Sequence, residues 1–218
     1  MRDPEAERRV NFVREGTAIA PVPFVPEVTL WTATEVTPLW QATEDWLKTT
    51  GAGIPFWAVP WAGGQALARY ILDRKDTVRG LTVVDFGSGS GLVAIAAKLA
   101  GAKSVRALDI DPLACTATEL NAELNEVEIE IECADRVGEI FTEDVVLAGD
   151  IWYERESSER FARFLEAQTA RVLTGDPSRT YPPPNARVLA TYEVPTTVEL
   201  ESVSKRTARV LEIGKLGP

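Results

Sequence analysis

The strongest chemical signal in the sequence is a glycine-rich loop that directly follows a short apolar stretch. The loop reads D-F-G-S-G-S-G and contains Asp85, Gly87, Ser88, Gly89 and Gly91. Glycines at these positions allow a tight turn and let the backbone approach a ligand with no Cβ atom in the way. The third glycine comes one residue earlier than in the G-x-G-x-x-G fingerprint of dinucleotide-binding proteins, which argues against a nicotinamide-nucleotide dehydrogenase. The alternative interpretation is a glycine turn with a purely structural role.

Acidic residues at the ends of predicted strands indicate which ligand the loop would bind. Asp85 would repel a pyrophosphate, but it suits the positively charged amino-acid end of S-adenosylmethionine. Asp109 ends the next strand, where a Rossmann-type sheet places the acid that accepts hydrogen bonds from the ribose hydroxyls. Asp111 precedes Pro112 and is better explained as a helix N-cap. Asp135, after the third strand, either receives the adenine amino group or is a solvated loop acid.

A second cluster, G-D-I-W-Y, follows the fourth predicted strand and begins at Gly149. In a Rossmann-like topology the carboxyl ends of the first and fourth strands flank the ligand crevice, so Asp150 and Tyr153 are expected to face the transferable group. The alternative is that Trp152 and Tyr153 are plain core aromatics. The cluster lacks the prolines of the Asp/Asn-Pro-Pro-aromatic motif with which nucleobase-modifying methyltransferases stack a flipped base.

The composition excludes several classes of site and partner. The 218 residues include no histidine, which removes Ser-His-Asp and Cys-His catalysis and nearly every catalytic zinc site. With 23 basic and 33 acidic residues the net charge is −10, so nucleic acid is not an expected partner. No apolar run approaches the roughly 18 residues of a membrane span, and the charged N-terminus resembles neither a signal nor a transit peptide, so we expect a cytoplasmic protein. Cys115 and Cys133 are far apart in the sequence and are expected to be buried thiols in a reducing compartment.

Alternating strand and helix patterns predict how the candidate residues are brought together. Strands are predicted over residues 81–85, 104–109, 127–133, 144–149, 171–175, 187–192 and 206–213. Helical periodicity follows the first, second and fourth of them. This alternation predicts an α/β fold, a Rossmann-like doubly wound seven-stranded sheet that is mostly parallel. The last two strands lack a clear helix between them and are expected to form an antiparallel edge.

The part that precedes this pattern is predicted to be an N-terminal extension. Its first thirty residues carry Pro21, Pro23 and Pro26 and no helical period, so we expect an extended arm. A helix is predicted to begin at Thr37-Pro38 and to pack on the core. We therefore divide the chain into an arm and helix over residues 1–50 and a cofactor-binding domain over residues 51–218.

The order of these motifs resembles that of the seven-β-strand protein-lysine methyltransferases. Within that family the chain is most similar to the methyltransferases of the electron transfer flavoprotein beta subunit and their bacterial relatives. The resemblance covers about residues 25–212. It rests on P-F-W-A-V-P-W-A-G-G from residue 55, the glycine loop, A-L-D-I-D-P from residue 107, G-D-I-W-Y, and G-D-P-S-R from residue 175.

The resemblance implies an S-adenosylmethionine-dependent N-methyltransferase that acts on protein lysine, with the electron transfer flavoprotein beta subunit as its expected substrate. The family's D/E-x-x-Y/F motif falls on Asp150 and Tyr153, which are the expected catalytic residues, and its cofactor-contacting tryptophan falls on Trp61. No metal is implied, and a monomer is expected. Alternatives are another acceptor, either a ribosomal protein or a small-molecule amine, or a non-catalytic cofactor-binding module. The expected cofactor-binding residues are Trp61, Asp85, Gly87, Ser88, Gly89, Gly91, Asp109, Ile110, Asp135 and Gly149.

Overall fold

The structure is a computed structural model that describes residues 3–33, 39, 55–178, 181–183, 185–196 and 203–214. The helix predicted to begin at Thr37-Pro38 lies outside the described residues, apart from Leu39, which is buried. The proposed division of the chain after residue 50 also falls outside them and stays a prediction.

The first thirty residues form a helix and a β-hairpin rather than the expected extended arm. Helix α1 (Pro4–Gly16) precedes strands β1 (Ala18–Val22) and β2 (Val25–Thr32), which pair antiparallel. The expectation is wrong for α1 because the helix has a strong start signal that a search for apolar periodicity does not weigh. The Asp3 carboxylate accepts a hydrogen bond from Glu5 N at 3.0 Å, and a proline occupies the first helical position.

A seven-stranded sheet forms the centre of the molecule and confirms the predicted fold class. Its strands are β3 (Thr82–Phe86), β4 (Ser104–Asp109), β5 (Glu130–Cys133), β6 (Val145–Gly149), β7 (Arg171–Asp176), β8 (Ala186–Pro195) and β9 (Lys205–Ile213). Their spatial order is β5-β4-β3-β6-β7-β9-β8. Strands β3 to β7 are parallel, whereas β9 pairs antiparallel with both β7 and β8. The strand order reverses at β3, so a ligand crevice is expected at the carboxyl ends of β3, β4 and β6.

Helices cover both faces of this sheet. They are α2 (Ala62–Asp73), α3 (Leu92–Leu99), α4 (Pro112–Leu124) and α5 (Arg155–Glu166). Side chains alternate along β3, so Val83 packs with α2 and α3, whereas Val84 packs with α5 on the opposite face. The same alternation directs Asp85 towards α3 and Phe86 towards α5, where the Phe86 and Phe164 rings lie 5.1 Å apart. No helix in the described part of the chain is long and apolar enough to cross a membrane.

Two asparagines of α4 attach the N-terminal hairpin to the domain. Asn121 Oδ1 accepts a hydrogen bond from Trp31 N at 2.7 Å, and Asn125 Oδ1 accepts one from Thr29 N at 3.0 Å. Asn121 is fully buried, so its amide replaces the strand partner that Trp31 lacks at this edge. The hairpin is therefore fixed to the helix that also borders the glycine loop.

The two cysteines lie side by side, although 17 residues separate them in the sequence. Cys115 lies in the first turn of α4 and is half-buried, whereas Cys133 is the last residue of β5 and is exposed. The two thiols contact successive backbone carbonyl groups, those of Asp109 and Ile110. The expectation of buried thiols is wrong for Cys133 because β5 is the outermost strand of the sheet, so its end is left uncovered. The crossover from β4 through α4 to β5 brings the two residues together.

Candidate active site

A cavity of about 440 Å³ lies at the carboxyl ends of β3, β4 and β6. All but one of the residues predicted to bind the cofactor or to act on the acceptor line it. The exception is Gly91. The predicted residues that line the cavity are Trp61, Asp85, Gly87, Ser88, Gly89, Asp109, Ile110, Asp135, Gly149, Asp150 and Tyr153. The crevice expected from the strand order is therefore the place where the sequence motifs converge.

The glycine loop is held in place by two polar side chains of α4. Thr118 Oγ1 donates a hydrogen bond to Gly89 O at 3.1 Å, and Asn121 Nδ2 donates one to Ser90 O at 2.8 Å. Gly91 has a φ of 77°, and a Cβ atom there would lie 2.8 Å from Thr118 Cγ2. Gly91 thus permits the turn into α3 and close packing on α4. The sequence interpretation missed Thr118 and Asn121, whose only signal is a polar residue on an otherwise apolar helix face.

Asp85 is buried at the floor of the cavity and has one unpaired oxygen. Its Oδ2 accepts a hydrogen bond from Ala94 N, in the first turn of α3, at 2.9 Å. Its Oδ1 is buried and has no hydrogen-bond partner among the described residues. Burial, together with the negative charge of Asp109, raises the pKa of Asp85 to about 7. A carboxylate in this state suits a ligand that brings a positive hydrogen-bond donor.

Asp109 and Asp111 have different tasks at the end of β4. Asp109 Oδ2 accepts a hydrogen bond from Gly89 N at 2.8 Å, and its Oδ1 accepts one from Asp111 N at 3.0 Å. The Asp109 carboxylate is therefore oriented by backbone on both sides, and burial raises its pKa. Asp111 Oδ1 accepts a hydrogen bond from Leu113 N at 2.8 Å, which confirms the predicted N-cap of α4.

Asp135 borders the cavity as half of an ion pair. Its Oδ1 accepts a hydrogen bond from Val137 N at 3.0 Å, and its Oδ2 accepts one from a terminal nitrogen of Arg160 at 2.8 Å. The Arg160 guanidinium lowers the pKa of Asp135. Asp135 is thus neither isolated in solvent nor unpaired. Arg160 lies on α5 and also lines the cavity, a residue that the sequence interpretation missed.

Asp150 occupies a constrained position between β6 and the first turn of α2. Its φ of 56° lies in the left-handed region, which asparagine and aspartate tolerate better than other residues with a side chain. Its Oδ2 accepts a hydrogen bond from Gly63 N at 2.7 Å, and its own N–H donates to Gly175 O at 3.0 Å. The carboxylate is buried and lies at the positive end of the α2 dipole. Its orientation is fixed by the fold.

Three glycines, Gly63, Gly149 and Gly175, make this position possible by letting α2 pack directly on the ends of β6 and β7. A Cβ atom on Gly175 would lie 1.9 Å from Gly63 O, and one on Gly149 would lie 3.1 Å from Gly64 Cα. A side chain at Gly175 would therefore displace α2, and with it the N–H group that holds Asp150. The sequence predicts Gly149 as a cofactor-binding residue but does not predict that α2 packs against it. The sequence signal for this contact is the pair Gly63-Gly64 at the start of α2, together with Gly149 and Gly175 near the ends of β6 and β7.

Aromatic rings form the mouth of the cavity above Asp150. The Phe56 and Tyr153 rings are 5.4 Å apart and tilted by 31°, and Trp61 Nε1 donates a hydrogen bond to Phe56 O at 2.8 Å. Burial, followed by the charges of nearby acids, raises the pKa of Tyr153, so its phenol stays protonated. Trp152 is instead a core residue whose Nε1 donates to Thr174 Oγ1 at 2.7 Å. The sequence interpretation missed Phe56.

These residues divide the cavity into two parts. We name them after the roles proposed below. The cofactor half comprises Asp85, the glycine loop and Asp109. The acceptor half is lined by Phe56, Asp150 and Tyr153 and is supported by the backbone contact of Gly63 with Gly175. The two parts meet where the ends of β3 and β6 adjoin.

The sequence of this chain is similar to the sequences of known proteins. The family model described as ribosomal protein L11 methyltransferase (PrmA) matches residues 65–151. The chain is 37% identical over 185 residues to the electron transfer flavoprotein beta subunit lysine methyltransferase of Homo sapiens, a match that covers 81% of this chain and 68% of the human protein. It is 32% identical to the homolog of that enzyme in Caenorhabditis elegans, over 90% of this chain and 87% of the relative.

The solved structures that match share the fold at low sequence identity. One is the magnesium protoporphyrin IX methyltransferase of Synechocystis PCC 6803, with bound S-adenosylmethionine. Its TM-score is 0.53 at 16% identity, and the match covers 79% of this chain and 96% of the other. The likeness shows that the two proteins share one fold.

Proposed function

The chain belongs to the electron transfer flavoprotein beta subunit lysine methyltransferase family, and we propose that it methylates a lysine side chain of that flavoprotein subunit. It is an S-adenosylmethionine-dependent methyltransferase with the Rossmann-like fold of this enzyme class. The observation that carries the proposal is Asp150, whose carboxylate is fixed at the junction of the two halves of the cavity, below two exposed aromatic rings.

The cofactor half offers groups that match the parts of S-adenosylmethionine. Asp85 Oδ1, buried and without a protein partner, suits the cationic amino-acid end. The Asp109 carboxylate suits the ribose hydroxyls, and Ile110, which is 72% exposed beside the cavity, offers an apolar surface for the adenine. S-adenosylmethionine supplies a methyl group already activated on a sulfonium. The protein's own task is therefore binding, orientation and control of the acceptor's proton.

A lysine amine must be neutral to attack the methyl group. The acceptor half affects this protonation state through the carboxylate of Asp150. A free lysine has a pKa near 10.4, so holding it uncharged at pH 7 costs roughly 4–5 kcal/mol. A carboxylate near the amine favours the ammonium form. We therefore assign Asp150 to capturing the ammonium and orienting the amine, with the proton released to water before the attack. Orientation by a fixed carboxylate is worth a large factor in rate because misplacement by about 1 Å can cost about 100-fold.

The aromatic mouth suits the lysine side chain on its way to Asp150. Phe56 and Tyr153 are 43% and 49% exposed, so apolar surface stands open at the entrance. The methylene stem of a lysine buries against such surface while its charged end stays with a polar partner. The Tyr153 hydroxyl oxygen can accept a hydrogen bond from an amine N–H, which leaves the nitrogen lone pair free for the attack. These two rings would thus exclude water from the sides of the channel.

A ribosomal protein is the second candidate acceptor because the L11 methyltransferase model matches part of the chain. That match begins after Trp61 and ends before Tyr153, so it leaves out both the aromatic mouth and the Gly63 contact. It covers the glycine loop, Asp109 and Asp150. We favour the flavoprotein because the similarity to the flavoprotein methyltransferases extends over 81% and 90% of this chain.

The test is a transfer assay with S-adenosylmethionine, the purified flavoprotein of the same organism, and intact-mass detection. We expect the beta subunit to gain whole methyl units and the other flavoprotein subunit, as an internal control, to gain none. Purified ribosomal protein L11 is assayed in parallel. Methyl units on L11 or on a small amine, with none on the beta subunit, would show that the proposed substrate is wrong. No transfer to any of them would remove the proposed activity.

A further inference from the structure

The thiols of Cys115 and Cys133 form a contact that the transfer reaction does not use. The two side chains lie close enough for Cys133 to raise the pKa of Cys115, and both are free cysteines. Cys115 Sγ also lies 3.7 Å from Asp109 O, and Cys133 Sγ lies 3.9 Å from Ile110 O. The two sulfurs therefore sit on successive carbonyl groups of a single turn. That turn carries the acid and the apolar side chain assigned above to the ribose and the adenine.

The pair differs in exposure, which gives the two sulfurs different chemical roles. Cys133 is exposed at the edge of the sheet, whereas Cys115 is half-buried in the first turn of α4. Burial, followed by the effect of Cys133, raises the pKa of Cys115, so Cys115 is not expected to react first with an oxidant. An oxidant arriving from solvent meets Cys133 first. Cys115 is then in place as the second, resolving thiol.

We propose that Cys115 and Cys133 are a redox modification site, at which hydrogen peroxide converts the two thiols into a disulfide that weakens cofactor binding. In the first step Cys133 sulfur attacks the peroxide, an S–O bond forms, the O–O bond breaks, and water leaves with the thiol proton. In the second step Cys115 sulfur attacks the sulfenic acid. The S–S bond forms, the S–O bond breaks, and a second water leaves with the Cys115 proton. The two sulfurs together lose two electrons, and the peroxide gains them.

The link to cofactor binding follows from the carbonyl groups under the sulfurs. A disulfide has no S–H group, so Asp109 O and Ile110 O each lose a donor. The sulfurs must also approach to the bonding distance of about 2.05 Å, which draws the first turn of α4 towards the end of β5. Both movements act on the turn whose Asp109 carboxylate lines the cavity. A shift of that carboxylate weakens its hydrogen bonds to a ligand.

The experiment treats the full-length protein with hydrogen peroxide and measures intact mass, non-reducing peptide maps and the Kd for S-adenosylmethionine. We expect a loss of two hydrogen atoms, a Cys115–Cys133 linked peptide, and a Kd raised at least about threefold. Dithiothreitol should reverse all three. The readout is cofactor binding, so it does not depend on which acceptor the enzyme methylates.

Two serine variants serve as matched controls. Cys115→Ser leaves Cys133 without its resolving partner, so oxidation should stop at a sulfenic acid that dimedone labels. Cys133→Ser should resist mild oxidation, and neither variant should show the rise in Kd. Oxidation only to sulfinic acid, or a disulfide only between two molecules, would overturn the proposed site. A Cys115–Cys133 disulfide that leaves the Kd unchanged would overturn its effect on the cofactor.

Discussion

The cofactor half and the acceptor half of the cavity are assembled in different ways. In the cofactor half, Asp85, the glycine loop and Asp109 belong to two adjacent parallel strands and the turns that follow them. In the acceptor half, the bond that fixes Asp150 comes from Gly63, 87 residues earlier in the chain. The first half is thus a local structure, whereas the second exists only if α2 docks correctly on β6 and β7.

Because of this difference, substitutions in the two halves should have different consequences. A change in the cofactor half should alter the affinity for S-adenosylmethionine and leave the rest of the cavity intact. A change at the glycine contact of the acceptor half should disturb packing, Asp150 and transfer together. Variants that act on one half and not on the other therefore test the division directly.

The largest effect is expected for Gly175→Ala. Its Cβ atom would lie 1.9 Å from Gly63 O, a backbone atom that cannot rotate away, so we expect a loss of at least about 3 kcal/mol in the free energy of unfolding. Gly64→Ala is the control from the same contact region, because its Cβ would meet only Leu92 Cδ2 at 3.9 Å. Urea unfolding should show that control unchanged or more stable by up to about 1 kcal/mol. Equal destabilisation by both variants would contradict the glycine contact.

Asp109→Asn should break the cofactor half alone. The variant keeps one acceptor for Gly89 N and loses the charge offered to the ribose, so we expect the Kd for S-adenosylmethionine to rise about 10- to 100-fold. Isothermal titration calorimetry measures it. Asp111→Asn is the matched control, since asparagine also caps a helix and should keep the Kd within about threefold of the wild type. A larger loss in the control would contradict the assignment of separate tasks to these two acids.

Cofactor affinity should depend on pH through Asp85. Its pKa of about 7 in the folded protein means that the carboxylate is mostly protonated at pH 6 and mostly ionised at pH 8. A cationic ligand binds the ionised form, so the Kd should fall about tenfold between those values and level off above them. The free energy of unfolding depends on pH in the opposite direction. The raised pKa of Asp85 stabilises the free protein fully below about pH 4, and this contribution is lost as the pH rises through 7.

The variant Asp85→Asn checks the source of that pH dependence. It should bind S-adenosylmethionine more weakly at pH 8, with a Kd that no longer changes between pH 6 and 8. Asp111 also has a raised pKa, of about 6, so Asp111→Asn is measured beside it and should retain the wild-type profile. A profile that survives in Asp85→Asn would assign the titration to another group.

The smallest effect is expected for Phe56→Ala in the acceptor half. Loss of the ring that contacts Tyr153 should raise the KM for the protein acceptor about two- to tenfold while the Kd for the cofactor changes by less than about twofold. Ile140→Ala removes an apolar side chain that is 53% exposed outside the cavity, and it should change neither quantity. A higher Kd for the cofactor without a change in KM would show that Phe56 contributes to cofactor binding and not to acceptor binding.

The positions of the residues in the cofactor half could be predicted from short sequence patterns for a physical reason. Asp85, Asp109 and the glycine loop are recognisable because each lies within a few residues of the strand end that positions it. Asp111-Pro112 was likewise predictable as a helix cap, since the cap and its helix are adjacent. The sheet order follows from the same alternation of strands and helices.

Contacts between segments that are distant in the sequence could not be predicted from local sequence patterns. The motif position of Asp150 could be recognised, but the bond from Gly63 depends on how closely α2 approaches β7. Phe56 was hidden because an aromatic residue in a proline-rich loop has no periodicity to mark it. The thiol contact depends on the crossover through α4 and on the register that places Cys133 beside Asp109.

The central claim is that Asp150 serves transfer to the acceptor and is not needed to bind the cofactor. The most direct test measures both quantities on one preparation of Asp150→Asn. Asparagine keeps an acceptor for Gly63 N and tolerates the left-handed φ of 56°, so the fold should survive. We predict a Kd for S-adenosylmethionine within about twofold of the wild type and transfer to the flavoprotein beta subunit reduced at least about 100-fold. Transfer within about threefold of the wild type, or a parallel loss of binding and transfer, would contradict the claim.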